Sequence, residues 1–248
     1  MNNEFKKKNA QQILLERAEI SLQKAKELIL EHIPNEEIQA IYVKGSYIQG
    51  ELKEDSDIDI VVILKTKKYL PDVYKLTDDF GNTTDMPFQA VAYTMDELQT
   101  GVLAQNRTKS PTTISIFVKQ LDQLPLIYGL KPEGKLYTRT DIKDLTAQIG
   151  NFRKMFLPDF EKGNFHFKSL VKQVLWLVER EQRALGILPE YSWQRLANSI
   201  KDPDHIVHNT LKYRRGGEVS DKEKDEYMNK LNEYLEMLGD KYKKTTNI

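Results

Sequence analysis

Gly45-Ser46, then ten residues, then Asp57-Ile58-Asp59 is the stretch of this chain whose residue types and spacing could do chemistry. It reads KGSYIQGELKEDSDIDIVVIL from Lys44 to Leu64. On a β-strand, residues i and i+2 share a face with Cα atoms about 6–7 Å apart, so Asp57 and Asp59 can converge on one or two hard cations. Oxygen ligands of this kind suit magnesium. Gly45 lets the backbone turn tightly and come close to phosphate oxygens. Ser46 can offer its hydroxyl and its backbone N–H to the same group. The plainer reading is a surface turn followed by a solvated Asp-x-Asp strand start. The run IDIVVIL is so apolar, however, that both carboxylates should border a buried sheet, which favours a site for a metal-bound triphosphate.

The elements around this stretch must position it. The apolar run IQAIYV (38–43) predicts the strand before the glycine turn, and IDIVVIL (58–64) the strand after the loop. Ile13, Leu14, Ala18, Leu22, Ala25, Leu28 and Ile29 recur at three- and four-residue steps, predicting an amphipathic helix over 10–33 that Pro34 stops. A helix is expected over 67–80, interrupted near its start by Pro71, and a third strand over 88–93 (FQAVAY). Thr94 with Glu97 has the form of a capping box. Ser110-Pro111 reads as an N-cap with proline in the first turn of the helix TTISIFVKQL, and PLIYG as a short strand ending on Gly129. Alternating strands and helices give an α/β (α+β) N-terminal domain, 1–136, with a small mixed sheet.

From Thr138 onward no strand is expected. Helical spacing covers 141–156, 167–185, 192–200, 205–213 and 221–242, with Ser220 and Glu223 forming a second capping box. The C-terminal part, 137–248, therefore reads as an all-α helical bundle.

Composition narrows the function classes. Of 248 residues, 40% are apolar and 30% charged, with 37 basic and 37 acidic side chains and no net charge. A nucleic-acid binder acting through bulk charge would be basic, so nucleic acid is disfavoured as a partner. The short lysine runs 6–8, 65–68 and 241–244 read as solvated ends. The absence of cysteine excludes disulfides, cysteine nucleophiles and thiolate zinc sites. His205 and His208 form an i, i+3 pair without a third ligand, which reads as a polar helix face. Trp176 and Trp193 read as core residues. No signal peptide or apolar stretch of about 18 residues is present, so a cytoplasmic location without membrane contact is the default expectation.

Gly-Ser followed by Asp-x-Asp on the next strand resembles the signature of the DNA polymerase β-type nucleotidyltransferase superfamily. The N-terminal domain joined to a helical bundle resembles the aminoglycoside adenylyltransferases that modify streptomycin and spectinomycin, a class associated with antibiotic resistance. ISIFVKQLDQLPLIYGLKPEGKL, KQVLWLVEREQRALGILP and LKYRRGG resemble further segments of that family. The resemblance implies ATP as co-substrate, held between the two domains, and Mg2+ on Asp57 and Asp59. It implies Ser46 and the Gly45 backbone on the terminal phosphates, and AMP transfer to a hydroxyl of a small acceptor. It also implies basic residues from the helical domain near the phosphates, for which Arg195, Lys212 and Tyr213 are the candidates.

One departure matters. The family places a third carboxylate on the next strand, and the alignment puts Gln89 of FQAVAY there. A neutral amide cannot act as general base. Asp85 could fill the role after a local shift, Glu179 or Glu181 of the charged segment VEREQR could act instead, or the enzyme could be slowed or altered. Glu179 and Glu181 also read as surface salt-bridge residues. They could equally contribute an acidic face toward a polycationic acceptor, as could Glu54 and Asp55. Two alternatives stay open: a nucleotidyltransferase acting on a protein or RNA, and a catalytically weak, antitoxin-like partner-binding protein.

Overall fold

A computed structural model describes residues 2–104 and 114–243, and the expected Ser110-Pro111 N-cap lies outside them. The chain divides into two compact units, Met1–Thr138 and Arg139–Ile248.

In the first unit, helix α1 (Asn2–His32) leads into strand β1 (Ile38–Lys44), the single-turn helix α2 (Ser46–Gln49) and strand β2 (Ile58–Leu64). Helix α3 (Leu70–Phe80), strand β3 (Phe88–Thr94), helices α4 (Met95–Thr100) and α5 (Ile114–Gln120) and strand β4 (Leu126–Gly129) follow. The strands form one sheet in the order β3-β2-β1-β4. β1 runs antiparallel to β2 and β4, while β2 and β3 are parallel, so the sheet is mixed.

Period-two alternation gives the sheet two different faces. Ile58, Ile60, Val62 and Leu64 of β2 join Ile41 and Val43 of β1 and Phe88, Ala90 and Ala92 of β3 in one core cluster. Leu14, Ala18, Ala25 and Ile29 of α1, Ile33 just after it, and Val73 and Leu76 of α3 complete it. On the other face Tyr93 stacks on Phe117 of α5 at 4.9 Å between ring centroids. α1 begins earlier than its apolar spacing indicates, and Pro71 sits in the first turn of α3, where its missing N–H costs nothing. The Thr94–Glu97 capping box forms as expected.

The second unit, among the described residues, is helical: α6 (Asp141–Asn151), α7 (Leu157–Glu161), α8 (Phe167–Ala184), α9 (Trp193–Ser199), α10 (Ile206–Arg215) and α11 (Asp221–Lys243). Between α6 and α7, Phe152–Phe156 is π-helical. Pro158 follows in the first turn of α7 and cannot supply an α-helical N–H to Lys154, so the helical register is reset there. Phe152, Leu170, Val174, Leu177, Val207, Leu231 and Leu238 anchor this unit's own core. Trp193 is buried in it and meets Trp176 edge-on at 4.6 Å. Among the described residues no helix is long and apolar enough to cross a membrane.

Candidate active site

The first unit brings the Gly-Ser turn and the Asp-x-Asp strand together at one end of the sheet. β1 and β2 pair so that Lys44 lies opposite Asp59. The chain then turns at Gly45, which adopts φ +77°, a region that glycine enters without strain. A Cβ added to Gly45 would fall on Asp59 Oδ2, so any larger residue here would push that carboxylate aside as well as strain the backbone. The result is a shallow cradle of bare backbone beside a half-buried carboxylate. Ser46 opens α2 directly after it.

Asp57 lies one residue before β2 and is exposed, rather than inside the strand as its spacing suggested. It therefore stands at the solvent end of the loop, and Asp59 stands on the sheet. β2 and β3 pair Asp59 with Gln89, which is exposed. Directly opposed residues share a face of the sheet. Lys44, Asp59 and Gln89 thus form a row across β1, β2 and β3, and none of the three makes an ion pair or side-chain hydrogen bond among the described residues.

Asp85 is committed elsewhere. The Arg17 guanidinium of α1 donates to both its oxygens, Nε at 2.7 Å and Nη2 at 3.2 Å, and Nη1 donates to Glu54 at 2.7 Å. The hydrogen bonds from Arg17 hold the Asp85 carboxyl below its ordinary range, the wrong direction for a proton acceptor. Arg17 thereby clamps two loops, the one entering Asp57 and the one entering β3. Ser21 Oγ of α1 also accepts from the Met86 N–H at 2.9 Å. Sequence reasoning did not single out Arg17 as part of the site, since nothing in its local pattern marks it.

In the second unit the expectation of surface salt bridges at Glu179 and Glu181 is corrected: both are buried, each 5% exposed, as is Arg180 at 7%. Glu179 accepts from Arg183 at 2.8 Å. Burial pushes the Arg180 guanidinium down, to about 10, against the pull of Glu179 and Asp144. Burial alone would raise Glu181, but hydrogen bonds from His205 and Tyr234 and the charge of Lys241 outweigh it and hold the carboxyl low. Tyr234 donates its hydroxyl to Glu181 at 2.5 Å. These carboxylates are neither an exposed acidic face nor free bases.

Lys212 is exposed and lies 3.5 Å from Glu223, and Arg195 pairs with Glu190. Tyr213 packs edge-on against Phe167 and Tyr227 at 5.5 and 5.4 Å. His205 caps α10 by accepting from the Val207 N–H, whereas His208 bonds the Asp202 carbonyl, so the two histidines turn to separate partners.

Comparison with known proteins defines the class. Residues 23–111, which contain the turn, both aspartates and Gln89, match the family described as Polymerase beta, Nucleotidyltransferase. The chain therefore carries a nucleotidyltransferase domain. Its fold as a whole is similar to that of spectinomycin adenyltransferase AAD(9) from Enterococcus faecialis, solved with ATP and spectinomycin. That match has a TM-score of 0.54 at 15% identity, covering 87% of this chain and 98% of that one. A toxin-antitoxin structure with AMP-PNP aligns over 44% of this chain and 73% of its own at 23% identity, with a TM-score of 0.31, too slight to define a shared fold. No curated protein matches the sequence.

Proposed function

We propose that the protein transfers AMP from Mg-ATP to a hydroxyl of a small polar acceptor, an aminoglycoside-like compound foremost, and releases pyrophosphate. The observation that carries this reading is the close approach of Gly45 to the Asp59 carboxylate inside a nucleotidyltransferase domain. Asp57 and Asp59 would hold magnesium, and the bare Gly45 backbone leaves room for phosphate beside them. When bound, magnesium would neutralise phosphate charge and orient the triphosphate for in-line displacement. Ser46 would bind the terminal phosphates through its hydroxyl and N–H. The acceptor oxygen bonds to the α-phosphorus as the α–β bridging P–O bond breaks, and pyrophosphate leaves with that electron pair. Gln89, on the β3 side of Asp59, would orient the acceptor through its amide. The hydroxyl proton passes to water, because no carboxylate stands in register there.

Arg195 and Lys212 are carried forward as phosphate contacts. Both are exposed, and their ion pairs with Glu190 and Glu223 are of the weak surface kind that yields readily. Tyr213 stays with them as a candidate, though its ring already serves the core of its unit. If the acceptor is an antibiotic, the reaction would take place in the cytoplasm, where ATP and magnesium are plentiful, and would confer resistance.

The test is an adenylylation screen with α-labelled ATP, Mg2+ and a panel of aminoglycosides. We expect labelled product with at least one compound and none from Asp57→Asn or Asp59→Asn variants that keep the parent's thermal melting. Full activity in either variant would remove the mechanism. Absence of product with every compound, despite nucleotide binding, would shift the acceptor to a protein or RNA.

A further inference from the structure

The row Lys44–Asp59–Gln89 carries one more step, which rests on the nucleotidyl-transfer reading. Two divalent cations near a reacting phosphoryl group need carboxylates to hold them. Here the register places a neutral amide, Gln89, on one side of Asp59 and an ammonium, Lys44, on the other. Two acids in the loops that enter β2 and β3 are already committed. Asp85 and Glu54 are both taken by Arg17, and the described residues contain no group of three His, Asp or Glu arranged to hold a metal ion.

Lys44 is the last residue of β1, at the end of the sheet where the Gly-Ser turn begins. It immediately precedes Gly45-Ser46, and it shares a sheet face with Asp59 without forming an ion pair to it. Opposed side chains on paired strands start only about 4.5–5.5 Å apart at Cβ, and the four-carbon stem of lysine extends well past an aspartate. An ammonium so placed would otherwise sit opposite a carboxylate with no function. A triphosphate carries about four negative charges at neutral pH, more than a single Mg2+ bound to two aspartates can offset.

We propose that this site takes one divalent cation, on Asp57 and Asp59, and that Lys44 replaces the second by placing its ammonium against the phosphates of the bound nucleotide. Gln89 is what limits the metal count, and Lys44 is what makes the limit tolerable. Lys44 is thus a binding residue for the triphosphate and not a proton acceptor.

The test uses Mn2+ with the α,β-methylene analogue of ATP, which binds but cannot be cleaved between those phosphates. Paramagnetic titration should count one Mn2+ per full-length protein in the ternary complex, and two in Gln89→Glu. Lys44→Met should bind the analogue about tenfold more weakly with the Mn2+ count unchanged, and Lys44→Arg should recover most of the loss. The salt dependence of analogue affinity should also flatten in Lys44→Met, which a purely structural role would not produce; thermal melting confirms that each variant is folded. Two Mn2+ in the parent protein, one in Gln89→Glu, or parental affinity in Lys44→Met would each overturn the proposal while leaving nucleotidyl transfer standing. Failure of the parent to bind the Mn2+–analogue complex at all would overturn both.

Discussion

An alanine at position 45 would meet two obstacles. The backbone there has φ +77°, which costs a residue with a Cβ about 1–2 kcal/mol, and the new methyl group would fall on the Asp59 carboxylate. Gly45→Ala should therefore lower stability by about 2 kcal/mol or more and displace Asp59 from its position beside the turn. Denaturant unfolding measures the first effect, and Mn2+–nucleotide titration the second. A variant that unfolds normally and binds metal–nucleotide normally would show that the cradle is not what glycine is there to provide. This part of the site was legible in the sequence because its chemistry is local: turn, hydroxyl and alternating carboxylates fall within one short segment. Arg17 was not, because its partners lie 37 and 68 positions away and its own neighbourhood is an ordinary helix. Nor did the sequence disclose that Asp85, a stand-in for the missing acid, is already paired with Arg17.

At the scale of elements, the strands and most helices follow from periodicity and capping alone. Thr94 and Glu97 show why: Thr94 Oγ1 accepts from the Glu97 N–H at 3.2 Å, and Glu97 Oε2 accepts from the Thr94 N–H at 2.8 Å. Glu97 Oε1 takes the Ala104 N–H as well, at 2.7 Å, and the side chain is buried. Glu97→Ala would leave one buried and one half-buried N–H donor without partners, and we expect a loss of about 2 kcal/mol in chemical denaturation, with Glu97→Gln retaining part of it. The segment VEREQR on α8 misled for the opposite reason. Its i, i+4 charges look like a solvated face, since isolated charges are costly to bury. They are buried because Asp144 of α6, His205 at the start of α10, and Tyr234 and Lys241 of α11 compensate them. No single-helix pattern contains those partners. The π-helical turn at Phe152–Phe156 escaped notice too, although Pro158 was its visible cause.

For the whole molecule, two separate cores make pH a way to distinguish the units. Both tryptophans, Trp176 and Trp193, belong to the second unit, so intrinsic tryptophan fluorescence during denaturation follows that unit. The charge network at Glu181 belongs to it as well. Hydrogen bonds from His205 and Tyr234 and the charge of Lys241 hold the folded-state pKa of Glu181 below its ordinary value despite burial. A carboxyl depressed on folding contributes stability that is fully present above its unfolded pKa, about 4.3, and is lost as pH falls through the folded value. Fluorescence-monitored stability should thus carry the full Glu181 contribution, independent of pH, around neutrality and should decline below about pH 4. Glu181→Gln keeps an acceptor for the Tyr234 hydroxyl but loses the charge. It should be about 1–2 kcal/mol less stable than the parent at pH 7, with the gap closing as pH falls below about 4. Asp85 is likewise depressed by Arg17, but it lies in the first unit, so Asp85→Asn should leave the fluorescence-monitored acid limb unchanged. A gap between Glu181→Gln and the parent that stays constant down to pH 2 would mean that packing of the longer-range network, and not the charge of Glu181, sets the acid stability of the helical unit.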